Sequence, residues 1–287
     1  VAILAKQNTH IIVQGITGKE GSFYTRQMIL DGSRIVGGVT PGKGGEWIQG
    51  KPVFDSVKKA IDATGANATV IFAPAVSATD AIYEAIDAEI ALIVCITEGI
   101  PALDMMRIKT HLVGSKSRLI GPNCPGILTP HQTNIGIIPT HIATPGNIGV
   151  ISRSGTLMYD IVSNLTRSGI GQTTCVGVGG DPILGSDFVD ILHLFEEDPE
   201  TEKVLIIGEI GGEAETDAAD FIKANMTKAV VAYVAGQNAP PNLIMGHSGA
   251  IIENQTSTAS HKIEKLLAAG VLVTDDPEQL PHLLSHR

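Results

Sequence analysis

Short aliphatic runs alternate with amphipathic stretches along the whole chain. In the first half, residues 10–13, 34–39, 69–72, 90–96 and 118–120 read as strands. Residues 21–31, 56–64, 79–87 and 103–113 lie between them and read as helices. The second half repeats the rhythm. Strands are predicted at 149–152, 174–178, 204–207, 229–235 and 271–273, and helices at 156–168, 186–196, 216–225 and 259–269. Such regular alternation predicts parallel sheets with helices on both faces. Between Pro122 and Pro145 the rhythm breaks, and Pro125, Pro130 and Pro139 fall there. That stretch reads as a junction. The expected organisation is two doubly wound α/β domains, 1–121 and 122–287, with 122–145 joining them.

Composition refines this picture. A chain of 287 residues can bury two sizeable cores, and at 43% hydrophobic with only 4% aromatic they are aliphatic. A net charge of −10 argues against a nucleic-acid surface. Cys95, Cys124 and Cys175 are isolated, with no spacing for zinc or a disulfide framework, so no metal site and a reducing compartment are expected. No apolar run approaches membrane-spanning length. The start, from Val1 to Lys6, is too short and weakly basic for a signal peptide. The expected compartment is the bacterial cytoplasm, or the mitochondrial matrix if a transit peptide has been removed.

Candidate chemistry sits in loops. His247 is framed by small residues in Met245-Gly246-His247-Ser248-Gly249-Ala250-Ile251. The flanking glycines let the backbone take positive φ and let a bulky ligand approach, as a nucleophilic imidazole needs. None of the other eight histidines has this frame: His10, His193, His261, His282 and His286 read as surface or helix residues, and His111, His131 and His141 attract no special role. In Ile207-Gly208-Glu209-Ile210-Gly211-Gly212, Glu209 stands at a strand's carboxyl end. It is either a solvated loop charge or the acceptor of an imidazole N–H. Ser152-Arg153-Ser154-Gly155-Thr156 is a strand-to-helix turn, either an ordinary serine cap or an anion site.

The first domain offers three further loops. Gly15 to Gly21 joins the first strand to the first helix and suits a phosphate, but Thr17 replaces the second glycine of the dinucleotide fingerprint. After the second strand, where NAD binding calls for an acidic residue, the chain has Pro41-Gly42-Lys43-Gly44-Gly45. Lys43 is a solvated turn residue or a partner for a phosphorylated ribose, as in NADP or coenzyme A. Gly37 to Lys43 nearly matches a P-loop, but Gly44 replaces the metal-binding hydroxyl and Pro41 removes an N–H, so no ATP site is expected here. Glu98, in Thr97-Glu98-Gly99-Ile100-Pro101, binds a ligand hydroxyl or caps the next helix. Cys124 has no activating base beside it in sequence, which argues against an acyl-accepting thiol.

Together these loops resemble the α subunits of succinate–CoA ligases (succinyl-CoA synthetases). The motifs are PGKGG at 41–45, TEGIP at 97–101, GPNCPG at 121–126, SRSGT at 152–156, VGVGGDP at 176–182, IGEIGG at 207–212 and MGHSGAI at 245–251. The resemblance spans essentially the whole chain. It implies a Rossmann-like coenzyme A-binding domain followed by a flavodoxin-like ligase domain. It implies Thr17, Gly18, Lys19, Glu20, Lys43, Ile96, Thr97 and Glu98 as the coenzyme A residues and Tyr159 as an acid-substrate contact. Asn123-Cys124-Pro125 would lie near the thiol end. His247 would be the phosphorylated residue, Glu209 its orienting carboxylate, and Ser154, Gly155 and Thr156 the phosphate-holding helix start. ATP or GTP with Mg²⁺ would be bound by an ATP-grasp type β subunit in an αβ or α2β2 assembly, with a dicarboxylate as the second substrate.

Two segments depart from the family pattern. Asn242-Leu243-Ile244 stand where relatives carry basic residues, and Glu253-Asn254-Gln255 where a glycine- and lysine-containing stretch is common. Both flank the His247 loop and leave open the identity of acid and nucleotide. Lys19 and Glu20 sit at variable positions. The alternatives are a sister ligase for malate or another acid, a non-catalytic coenzyme A-binding protein, and an NADP-dependent oxidoreductase. The second leaves the SRSGT, GEIGG and GHSG loops unexplained, and the third lacks a hydride-transfer site.

Overall fold

The computed structural model describes residues 2–285; His286 lies outside the described residues. The chain forms two compact units. One takes 4–138 with 183–185, the other 139–182 and 186 onward with the first residues. Residues 122–138, read from their prolines as part of the junction and the second domain, group with the first unit.

In the first unit the elements are β1 (Ile11–Gln14), α1 (Lys19–Leu30), β2 (Ile35–Val39), β3 (Trp47–Ile48), β4 (Lys51–Phe54), α2 (Val57–Thr64) and β5 (Ala68–Ile71). Then follow α3 (Ala75–Asp87), β6 (Leu92–Cys95), α4 (Ala102–Leu112), β7 (Arg118–Ile120), β8 (Gly126–Thr129) and β9 (Thr133–Gly136). The sheet order is β3-β4-β2-β1-β5-β6-β7, parallel except for β3 at the edge. Numbering only the parallel strands, this is 3-2-1-4-5-6, the Rossmann order, whose switch point lies between β1 and β5. The residues of β1, β5 and β6 are buried throughout, as strands covered on both faces must be. Ile12, Ile71, Ile82, Ile93 and Ile108 knit the sheet to α3 and α4. Two antiparallel pairs were not expected from sequence: β3 with β4, and β8 with β9. The second is docked by Ser33, whose hydroxyl donates to Asn134 O and accepts the Asn134 N–H, both at 2.8 Å.

The second unit comprises β10 (Pro145–Ser152), α5 (Gly155–Arg167), β11 (Gln172–Gly177), α6 (Phe188–Glu197), β12 (Lys203–Glu209) and α7 (Ala214–Asn225). It continues with β13 (Ala229–Ala235), α8 (Ala259–Ala268), β14 (Leu272–Thr274) and α9 (Leu280–Ser285). Its five parallel strands run β14-β13-β12-β10-β11, which is 2-1-3-4-5 in chain order, the flavodoxin-like arrangement. Helix α6 starts with a reciprocal cap between Asp187 and Asp190. It is pressed so close to the sheet that a Cβ on Gly149 would stand 2.6 Å from the Phe195 ring. Here the switch point lies between β10 and β12, whose carboxyl ends are Ser152 and Glu209. No helix among the described residues is long and apolar enough to cross a membrane.

Candidate active site

His247 stands on a loop closed like a small hairpin. The Asn242 N–H donates to Ile252 O, the Met245 N–H to Ala250 O and the Ala250 N–H to His247 O, while Ile244 and Ile251 form a bridge. Gly246 turns the chain with φ +89°. The atypical residues therefore belong to the base of this loop. Asn254 caps the short turn 255–257, and the Glu253 N–H donates to the Ser257 hydroxyl. The imidazole is 26% exposed, and its Nδ1 lies 3.0 and 3.1 Å from the two Glu209 oxygens. A carboxylate can only accept, so it favours the proton on Nδ1, and in the neutral ring Nε2 then keeps its lone pair. Ser248 steadies the loop tip by donating to Asp181 Oδ1 at 2.8 Å. Gly211, at φ +87°, admits the close approach of the loop, since a Cβ there would stand 1.9 Å from Gly249 O.

Beneath the imidazole lies a buried cluster of four charges, Arg153, Glu209, Glu215 and Lys262. Arg153 Nε is 3.5 Å from Glu209 Oε1, and Nη1 is 3.5 Å from Glu215 Oε1 and donates to Gly211 O at 2.8 Å. Lys262, fully buried, donates to Glu209 O at 2.8 Å, to Gly211 O at 2.6 Å and to the Glu215 carboxylate. Glu215 Oε1 also accepts the Glu209 N–H at 3.0 Å. Burial pushes the Glu215 carboxyl up, but Arg153 and Lys262 outweigh it and hold the group below its ordinary 4.5. Burial draws the Lys262 ammonium below its ordinary value, against the pull of Glu215. Two cations against two anions is what makes such a buried set tolerable.

At the start of α5, Ser154 is an ordinary cap: its Oγ accepts the Leu157 N–H at 3.3 Å. Its own N–H donates to the Ser152 hydroxyl. The amides left at the positive end of the helix are those of Gly155 and Thr156. Tyr159 is half-buried on the same helix.

In the first unit, the other candidate residues lie at the carboxyl ends of three parallel strands of one sheet. Thr17, Gly18, Lys19 and Glu20 follow β1, Lys43 follows β2, and Ile96, Thr97 and Glu98 follow β6. Helix α1 starts at Gly18 without a side-chain cap, leaving its first amides facing outward. Gly21 allows the tight entry, because a Cβ there would meet Gly15 O at 2.1 Å. Thr17 donates to the Thr40 hydroxyl, tying the β1 and β2 loops together. Asp55 accepts the N–H groups of Gly42 and Gly44 and so shapes the lysine turn; Gly44 above all, helped by Lys59, holds its carboxyl below the ordinary range. Lys43 itself makes an exposed ion pair with Glu46 at 3.1 Å. Glu98 does not cap α4, whose N-cap is Pro101.

Two family models match these two regions: a CoA binding domain over residues 6–99 and a CoA-ligase over 151–272. The succinate–CoA ligase [ADP-forming] α subunit of Staphylococcus aureus (strain Mu50) is 51% identical over 280 residues, 98% of this chain and 93% of that protein. The chain belongs to the succinate–CoA ligase α-subunit family. The Staphylococcus epidermidis (strain RP62A) α subunit is likewise 51% identical over the same shares. Among solved structures, ATP citrate lyase from Methanothrix soehngenii, in complex with citrate and coenzyme A, superposes with a TM-score of 0.89 at 25% identity over 98% of this chain. This family member spans about half of that longer chain, 51%. A dinucleotide-forming acetyl-coenzyme A synthetase from Ca. Korarchaeum cryptofilum shares the fold, with a TM-score of 0.72 at 20% identity, over 94% of this chain and 58% of its own.

Within this α-subunit framework, Cys124 is held in a packed setting. It is buried and donates to Cys95 O at 3.2 Å. Burial pushes the Cys175 thiol up to about 12. Sequence reasoning assigned no part to Arg153 beyond its place in the SRSGT turn, and none to Glu215 or Lys262. Helix charges usually face water, and no pattern in the flanking residues marks these two as buried.

Proposed function

We propose that this chain is the phosphoryl-carrying α subunit of a reversible ligase that makes succinyl-CoA from succinate, coenzyme A and ATP or GTP. The observation that carries the reading is the pairing of His247 Nδ1 with Glu209 at the switch point of a flavodoxin-like sheet. In the first step Nε2 attacks the γ-phosphorus of the triphosphate. An N–P bond forms, the bond to the β-phosphate oxygen breaks, and the diphosphate leaves. In the second, a succinate carboxylate oxygen takes the phosphoryl group, the N–P bond breaks and His247 is restored. In the third, the coenzyme A thiol, giving up its proton, attacks the acyl phosphate carbon; the C–S bond forms and inorganic phosphate leaves. Phosphoryl transfer is mainly positioning and electrostatics. Glu209 fixes the nucleophile, and the Gly155 and Thr156 amides with Ser154 hold the phosphoryl charge at the start of α5. Tyr159 contacts the acid.

Thr17, Gly18, Lys19, Glu20, Lys43, Ile96, Thr97 and Glu98 line coenzyme A, with Lys43 on the ribose phosphate. The triphosphate and its Mg²⁺ belong to an ATP-grasp type β subunit, in an αβ or α2β2 complex. One exposed helix end contributes only about 0.3–1 kcal/mol toward holding an anion, so a second from the partner improves the site. The setting is the bacterial cytoplasm, or the mitochondrial matrix after removal of a transit peptide. Incubation with γ-labelled triphosphate and a β subunit should give an acid-labile, base-stable phosphoprotein. His247→Ala should take no label and make no acyl-CoA, yet bind coenzyme A as before. Acyl-CoA synthesis by the chain alone at an enzymatic rate would overturn the two-subunit scheme, and a panel of acids separates succinate from malate.

A further inference from the structure

The proposed relay needs an imidazole that keeps its proton on Nδ1 and offers Nε2. That depends on the Glu209 carboxylate presenting both oxygens to Nδ1, and the two distances of 3.0 and 3.1 Å are almost equal. A carboxylate at the end of a strand rotates freely about its last bond unless something behind it fixes its plane. Arg153 stands in that place. Its Nε faces Oε1 of Glu209 at 3.5 Å. Its Nη1 donates to Gly211 O at 2.8 Å, in the turn that follows Glu209, and its Nη2 faces Gly249 O at 3.5 Å, in the loop that carries His247. One planar guanidinium thus spans the carboxylate, its turn and the histidine loop. A lysine, with a single tetrahedral head, cannot make these contacts in one plane.

The placement in sequence adds a second relation. Arg153 immediately precedes Ser154, the cap of α5. The residue that fixes the carboxylate is therefore one residue from the helix start whose Gly155 and Thr156 amides face outward. Any shift of Arg153 moves the anion-holding amides and the imidazole partner together. Lys262 secures the other side, since it holds Glu209 O and Gly211 O from α8, while Glu215 accepts from Lys262 and faces Arg153 Nη1.

We propose that Arg153 is a positioning residue for His247: its guanidinium fixes the plane of the Glu209 carboxylate against Nδ1, and so makes Nε2 the nitrogen that reacts. The inference rests on the function proposed above for the reaction, but its tautomer arm stands apart from it. The full chain labelled with ¹⁵N-histidine should show His247 protonated on Nδ1 and bare on Nε2. In Arg153→Met the His247 signals should move toward a mixture of the two tautomers. With the β subunit and γ-labelled triphosphate, the single-turnover labelling rate should fall about tenfold or more, the size set by loss of a charge-assisted contact. Coenzyme A binding in the first unit should be unchanged. Arg153→Lys should fold, recover part of the labelling rate and remain below wild type. A folded Arg153→Met with the wild-type tautomer and labelling rate overturns the proposal. Should that variant fail to fold, Arg153→Lys decides alone: wild-type rate and tautomer in the lysine variant overturn it equally. If the wild-type complex takes no label at all, the relay fails, and the tautomer spectra still decide the role of Arg153.

Discussion

Gly180 lies directly against the imidazole of His247: a Cβ on Gly180 would stand 2.4 Å from Cγ and 2.7 Å from both Nδ1 and Cδ2. The ring cannot yield freely, because Glu209 holds its other side. Gly180→Ala should therefore push Nδ1 off the carboxylate. A misplacement of about 1 Å can cost roughly 100-fold in rate. We expect a loss of that order in labelling of His247, with coenzyme A binding unaltered. Wild-type labelling in the alanine variant would show that the ring position is not critical.

The Lys43 ammonium pairs with Glu46, and exposed pairs of this kind contribute little, about 0–1 kcal/mol. The lysine is thus available to a phosphate at small cost. Lys43→Ala should weaken coenzyme A by roughly tenfold or more, from a charge-assisted contact of about 1.5–3 kcal/mol, and dephospho-coenzyme A much less. Isothermal titration with the two ligands reads the difference. Equal losses would remove Lys43 from the ribose phosphate.

The folded Glu215 carboxyl lies below its ordinary 4.5. Its contribution to stability is therefore complete above that value and is lost as pH falls through the folded value. Thermal midpoints of the wild type should drop as pH is lowered from 5 toward 3. The Glu215→Gln curve should be flatter over the same window, starting from a lower plateau. Lys262→Met leaves a buried carboxylate short of a partner and should destabilise the second unit by about 3–5 kcal/mol. A Glu215→Gln chain with the wild-type acid slope would assign that slope to other groups.

Cys124 donates its thiol proton to a main-chain carbonyl from a buried position. Cys124→Ala should leave His247 labelling and acyl-CoA synthesis near wild type, with a modest loss of stability from the small void. Loss of synthesis with labelling intact would instead support an acyl-cysteine step.

The parallel strands other than β4 were legible because strands covered on both faces are nearly continuous aliphatic runs, as in Val204-Leu205-Ile206-Ile207, whereas β4 reads Lys51-Pro52-Val53-Phe54. Strand order was not, since periodicity says nothing about which strands are neighbours. The β8–β9 pair escaped notice because proline reads as a breaker. Pro125 lies just before β8, Pro130 lies in the turn and Pro139 lies beyond β9, so none occupies a strand position. At the candidate site, the glycine frame pointed to the loop that carries His247, and the strand-end position of Glu209 pointed to its neighbour. The ion pairs of Arg153, Glu215 and Lys262 join residues far apart in sequence, and each residue alone looks like a surface charge. The serine was open between two roles; its Oγ caps the helix by accepting the Leu157 N–H, which does not decide whether an anion also binds there.

The neutrality of the buried quartet bears on energy conservation. Arg153 and Lys262 are both committed to carboxylates beneath the ring. A phosphoryl group on Nε2 would therefore be held by helix amides rather than by a buried cation of its own. So light a hold would take little from the group-transfer potential of the bond. On the function proposed above, such a carrier would be ready to discharge toward nucleotide or acyl phosphate alike.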